Sequence, residues 1–71
     1  MTMIRFVTRD YEYAHARRPR GRGSWAFALK RDYTVDEAIF VPGSLTYGDA
    51  CHEFARVARM FGVTGPVWVC S

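Results

Sequence analysis

The chain has 71 residues, 49% of them apolar, 15% aromatic and 24% charged, with a net charge of +3. A chain of this size buries roughly 60% of the surface that its unfolded form exposes, which supports one domain with one modest core and excludes wholesale disorder. No apolar run nears the ~18 residues of a membrane-spanning helix, and Met1-Thr2-Met3-Ile4-Arg5 lacks a signal-peptide core.

In chain order, residues 3–8 carry β-formers in alternation and read as a strand. The alternation resumes at Tyr11, Tyr13 and His15, but on odd numbers where Ile4 and Phe6 are even. A bulge or break near Arg9-Asp10 is therefore expected. Pro19, Gly21 and Gly23 interrupt any ladder over 17–23. Residues 24–30 follow as the clearest strand, with Trp25, Phe27 and Leu29 on one face and Ser24, Ala26, Ala28 and Lys30 on the other. These two strands predict a hairpin with the intervening loop at its tip.

Residues 31–37 are polar and turn-like, and 38–41 form a short third strand ended by Pro42-Gly43. Thr46 is a good N-cap, with Asp49 three residues on. Tyr47, Ala50, Cys51, Phe54, Val57, Ala58 and Phe61 then recur at helical spacing, and Gly62 marks the stop. Val67-Trp68-Val69-Cys70 reads as a last strand. The expected fold is α+β: a small antiparallel sheet with one helix on one face, in the order β-β-β-α-β, as a single domain over 1–71.

Charge is unevenly spread along this frame. Nine of the ten basic residues are arginine, and Arg17, Arg18, Arg20 and Arg22 fall within six residues. Such a local field attracts phosphate backbones or acidic protein surfaces; the bland alternative is a solvated loop. Pro19-Arg20-Gly21-Arg22-Gly23 resembles the core of the AT-hook, Pro-Arg-Gly-Arg-Pro, with Gly23 where the second proline belongs. That resemblance implies that glycine permits close approach while flanking arginines enter a narrow A·T-rich minor groove. Arg-Gly segments also contact RNA and single strands. The expected contact residues are Arg17, Arg18, Arg20, Gly21 and Arg22, with Tyr11 and Tyr13 as candidate stacking rings. Trp25 is expected in the core. Arg56, Arg59 and Met60 form a candidate second patch on the helix, whose bland reading is a solvated face supported by Glu53–Arg56.

Catalytic and metal-binding chemistry finds few groups here. His15, Cys51, His52 and Cys70 are the soft-ligand candidates, without ligand spacing, and Cys51 and His52 diverge on a helix by about 100°. No carboxylate pair has an apolar pocket to tune it. Two cysteines are too few for a secreted disulfide scaffold. No catalytic residue, metal, cofactor, membrane or small-molecule substrate is expected. The expectation is a cytoplasmic, non-enzymatic protein that binds nucleic acid or an acidic protein surface. A second reading follows from architecture: compact single-domain chains of this kind resemble accessory proteins of phages and mobile elements, including anti-CRISPR inhibitors, which dock on host defence complexes. A third is a homodimer in which strand 67–70 pairs across the interface.

Overall fold

The computed structural model describes residues 4–70. The fold is α+β. Its elements in chain order are β1 (Phe6–Val7), α1 (Arg9–His15), β2 (Arg22–Gly23), β3 (Ala26–Ala28), a 3-10 turn (Val35–Glu37), β4 (Ile39–Phe40), β5 (Leu45–Thr46), α2 (Tyr47–Met60) and β6 (Val67–Val69). Four strands form a mixed sheet in the order β1-β6-β3-β4, in which only β1 and β6 run parallel. β2 and β5 form a separate antiparallel pair.

The expected antiparallel sheet with one helix, in the order β-β-β-α-β, is corrected in three respects: a first helix follows β1, β5 stands between β4 and α2, and β1 runs parallel to β6. The segment holding Tyr11, Tyr13 and His15 is a helix. The change of parity after Phe6 marks a change of period, because Tyr11 and His15 stand four residues apart on one helical face. The Glu12 amide donates to the Thr8 carbonyl at 2.9 Å, closing the first turn. Ala16, at φ 55, ends the helix in the left-handed region. The expected first hairpin is therefore absent: β1 pairs with the far end of the chain, and β2 pairs with β5. Met3, which the expected first strand included, lies outside the described residues.

The second helix agrees with its sequence signals. The Thr46 hydroxyl accepts the Asp49 amide at 3.2 Å. At the other end, Gly62 takes φ +77 and its amide donates to the Arg59 carbonyl, while the Val63 amide donates to the Ala58 carbonyl. This paired closure needs a left-handed residue after the last turn, a position that suits glycine. The buried stripe is Ala50, Phe54, Ala55 and Ala58. Small residues on both sides of Phe54 let the helix approach the sheet closely. Phe61, expected on that stripe, caps the helix and is 80% exposed.

Phe27, Val67 and Val69 are fully buried. The Phe27 ring lies 4.8 Å from Phe54 and 5.4 Å from Phe6, between centroids. The register places Phe27 opposite Val69 and Ile39, and Phe6 opposite Val67, so these side chains share the sheet face toward α2. The alternate residues Val7, Ala26, Ala28, Phe40 and Trp68 point to the other face. Ala26 and Ala28 are buried as well, whereas Leu29 lies beyond the strand end and is exposed. β6 has β1 on one side and β3 on the other, so it has no free edge with which to pair across a dimer. Among the described residues no helix is long and apolar enough to cross a membrane.

Candidate functional site

The arginine loop, 16–21, joins the end of α1 to β2 and is held at both ends. On the α1 side, Tyr11 stacks on His15 at 4.2 Å and lies 5.6 Å from Trp25. Trp25 in turn lies 5.0 Å from Tyr47, and its indole N–H donates to the Leu45 carbonyl at 2.9 Å. At the other end, the Tyr47 amide donates to the Gly21 carbonyl at 3.1 Å. Gly21 has φ +84, so the backbone turns in the middle of the Arg20-Gly21-Arg22 stretch. The Arg22 guanidinium donates from Nη1 to the Ser44 carbonyl at 2.9 Å, which fixes that side chain over the β2–β5 pair.

Arg17 and Arg20 of the loop and Arg22 of β2 line an open cleft of about 400 Å³. Its walls are aromatic, with Tyr11 and His15 of α1 beside Trp25, Tyr33 from the segment leading into β4 and Phe40 from β4 itself. No aspartate or glutamate lines it. Neither ion pair among the described residues, Lys30–Glu37 or Glu53–Arg56, involves an arginine of the 17–22 stretch. Concentrated positive charge against apolar rings is thus the main chemical character of the site.

Its far wall is braced. Lys30 Nζ lies 2.7 Å from Glu37 Oε2. The Glu37 carboxylate also accepts the Thr34 amide and hydroxyl at 3.0 Å each, closing a capping box around the 3-10 turn. The bond from Lys30, followed by those from Thr34, holds the Glu37 carboxyl below its ordinary range, and Glu37 in turn raises Lys30. Tyr33 extends from this braced segment, and its hydroxyl bonds the Cys70 thiol at the cleft wall. Burial raises the Cys70 thiol despite that bond. It also raises Cys51, whose partner is the Tyr47 hydroxyl, itself pushed up chiefly by burial. Both cysteines are free, and protonated thiols are poor nucleophiles and metal ligands. Among the described residues no three His, Cys, Asp or Glu side chains cluster as a metal set would.

The predicted site residues separate into groups. Arg17, Arg20 and Arg22 come together at the cleft, while Arg18 is exposed beside it. Tyr11 is buried at 7% exposure, so its ring is part of the wall and has no open face for stacking. Tyr13 is 93% exposed but projects from the other side of α1, two residues from Tyr11. Arg56, Arg59 and Met60 lie on the exposed side of α2, and Arg56 is paired with Glu53. None of the three lines the cleft, whose Ala26 and Phe40 lie on the sheet face opposite the Phe27 side chain that α2 covers.

Sequence reasoning missed Tyr33, Phe40 and His15 as cleft residues. Only His15 carried a signal, its four-residue spacing from Tyr11. No family model, curated protein or solved structure matches this chain.

Proposed function

We propose that the chain is a non-enzymatic nucleic-acid-binding protein and that the cleft beside the arginine loop is its contact surface. The observation that carries this reading is the composition of the cleft: three guanidiniums and a set of rings, with no aspartate or glutamate among the described residues that line it. Guanidiniums match phosphate oxygens in geometry as well as charge. The exposed Phe40 ring in the wall can accept a base face, which adds an attraction to phosphate binding. The anchored loop and braced far wall support a preformed site, which lowers the ordering cost of binding.

The test is anisotropy with labelled single-stranded DNA, RNA, random duplex and A·T-rich duplex, each at low and moderate salt. Binding should weaken steeply with salt, and Arg17→Ala/Arg20→Ala/Arg22→Ala should abolish most of it. Failure to bind any of these at low salt would sink the reading. A host protein recovered in place of nucleic acid would favour the inhibitor-type docking instead.

A further inference from the structure

We infer that a second basic-aromatic cleft, formed by Arg5, Arg9 and Arg31 around Trp68, is a further subsite for the same ligand, and that this ligand is a single-stranded polynucleotide. The inference rests on the nucleic-acid reading of the first cleft and extends it to strandedness and path.

The second cleft encloses about 200 Å³, with Val7 and Pro66 completing its apolar lining and Asp10 as its single carboxylate. Arg5, Arg9 and Arg31 are all exposed, and none lies within ion-pair distance of a carboxylate among the described residues. Three positive charges against one negative leave the cleft cationic. Trp68 is half-buried and pairs in register with Val7 on one side and Ala28 on the other.

That register also relates the two clefts. Trp68 and Cys70 stand two residues apart on the same face of the chain, one lining each cleft. At a strand rise of about 3.3 Å per residue, the two positions are separated by only about 7 Å along the strand. Ala26 and Phe40 of the first cleft belong to the same sheet face as Val7 and Trp68 of the second. Both clefts therefore take part of their lining from the sheet face away from α2, and along β6 they are close enough for one short anionic chain to occupy both.

The rings decide which kind of nucleic acid. In a duplex the base faces are stacked inside, so Phe40 and Trp68 could reach only edges and backbone. An unpaired strand presents base faces together with its phosphates, and base–aromatic stacking contributes about 1–3 kcal/mol per base. A surface that alternates guanidiniums and partly exposed rings uses both features of a single strand.

The experiment measures affinity and salt slope for labelled oligothymidylate and oligouridylate of about 12 nucleotides, a length within the range of single-strand site sizes. A duplex of equal length is measured in parallel. Wild type is compared with Arg5→Ala/Arg9→Ala/Arg31→Ala, with the matching lysine triple, and with Arg17→Ala/Arg20→Ala/Arg22→Ala. Circular dichroism melts check that each variant is folded. Each lost phosphate contact should flatten the single-strand slope by about 0.7, so the second-cleft alanine triple should lose about two units of slope and at least ~10-fold in affinity at low salt. The lysine triple should recover most of the slope. Saturation should quench tryptophan emission, and Trp68→Phe should remove the second cleft's share of that quench while leaving the share from Trp25 in the first cleft.

If the second-cleft triple binds with wild-type affinity and slope while the first-cleft triple is impaired, the second subsite is overturned and the nucleic-acid reading stands. Duplex bound as tightly as single strand, with both triples impaired, would overturn the single-strand assignment. No binding of any polynucleotide by the wild type would overturn both readings together.

Discussion

The Trp25 indole donates to the Leu45 carbonyl at 2.9 Å, and this one bond ties the four-stranded sheet to the β2–β5 pair that follows the arginine loop. Trp25 precedes β3, and Leu45 begins the strand that leads directly into α2. Trp25→Phe should keep the ring contacts with Tyr11 and Tyr47 but remove the donor. We expect a loss of about 1–3 kcal/mol, from the unmade bond and the smaller ring, read as a lower urea midpoint at unchanged slope.

Phe27 is the centre of the core, with no exposed surface and with Phe6 and Phe54 against it. Phe27→Ala should cost about 3–5 kcal/mol. Small domains hold little more than that in total, so the variant should be largely unfolded by circular dichroism at room temperature. Phe27→Leu should remain folded with a lowered melting temperature.

The two ends of α2 should respond separately. Thr46→Ala removes the acceptor for the Asp49 amide and should cost about 1 kcal/mol. A Cβ at Gly62 would meet no atom within 4 Å, so Gly62→Ala tests the left-handed backbone at φ +77 without a clash. It should cost about 1–2 kcal/mol. The sites lie at opposite helix ends, so the double variant should lose close to the sum.

The Lys30–Glu37 pair gives a pH window. Glu37 is held below its ordinary value, so its stabilisation is present above about pH 4.3 and is lost as pH falls through the depressed value. Lys30 is raised, so its share is present below about pH 10.4 and is lost as pH rises through the raised value. The pair is solvent-exposed and its effect is small. The difference in urea midpoint between wild type and Glu37→Gln should therefore persist from about pH 5 to 9 and disappear in acid. A difference that grows on acidification would contradict the pairing.

The free thiols report on the cleft. Burial raises both, so alkylation of Cys51 and Cys70 should be slow at neutral pH and should accelerate as pH increases. Cys70 lines the cleft, whereas Cys51 sits beside Tyr47 on α2. A bound oligonucleotide should slow modification of Cys70 and leave Cys51 unchanged, as read by peptide mass spectrometry. Equal protection of both would place the ligand elsewhere.

Those two cysteines also show how far sequence reading reaches. Cys51 belongs to a helix whose cap, stripe and stop are all local signals, and the structure follows them from Thr46 to Gly62. The strands expected over 38–41 and 67–70 are found, shorter, at Ile39–Phe40 and Val67–Val69, and were legible for the same reason. The parity change between Phe6 and Tyr11 was visible too. Reading it as a bulge rather than a helix mistook the period, because seven residues hold barely two turns of pattern.

By itself the sequence determined an α+β class, the course of α2 and a cluster of arginines at 17–22, since propensity, capping and charge are properties of neighbours along the chain. Tertiary structure alone decided that β1 pairs with β6 from the other end, and that β6 is an interior strand. It also decided that Arg17, Arg20 and Arg22 line one cleft with Tyr33 and Phe40, and that Arg5, Arg9 and Arg31 line another with Trp68. Strand partners and cleft walls depend on which apolar faces find one another on collapse, and contacts between distant residues leave no periodic trace in the segments that make them.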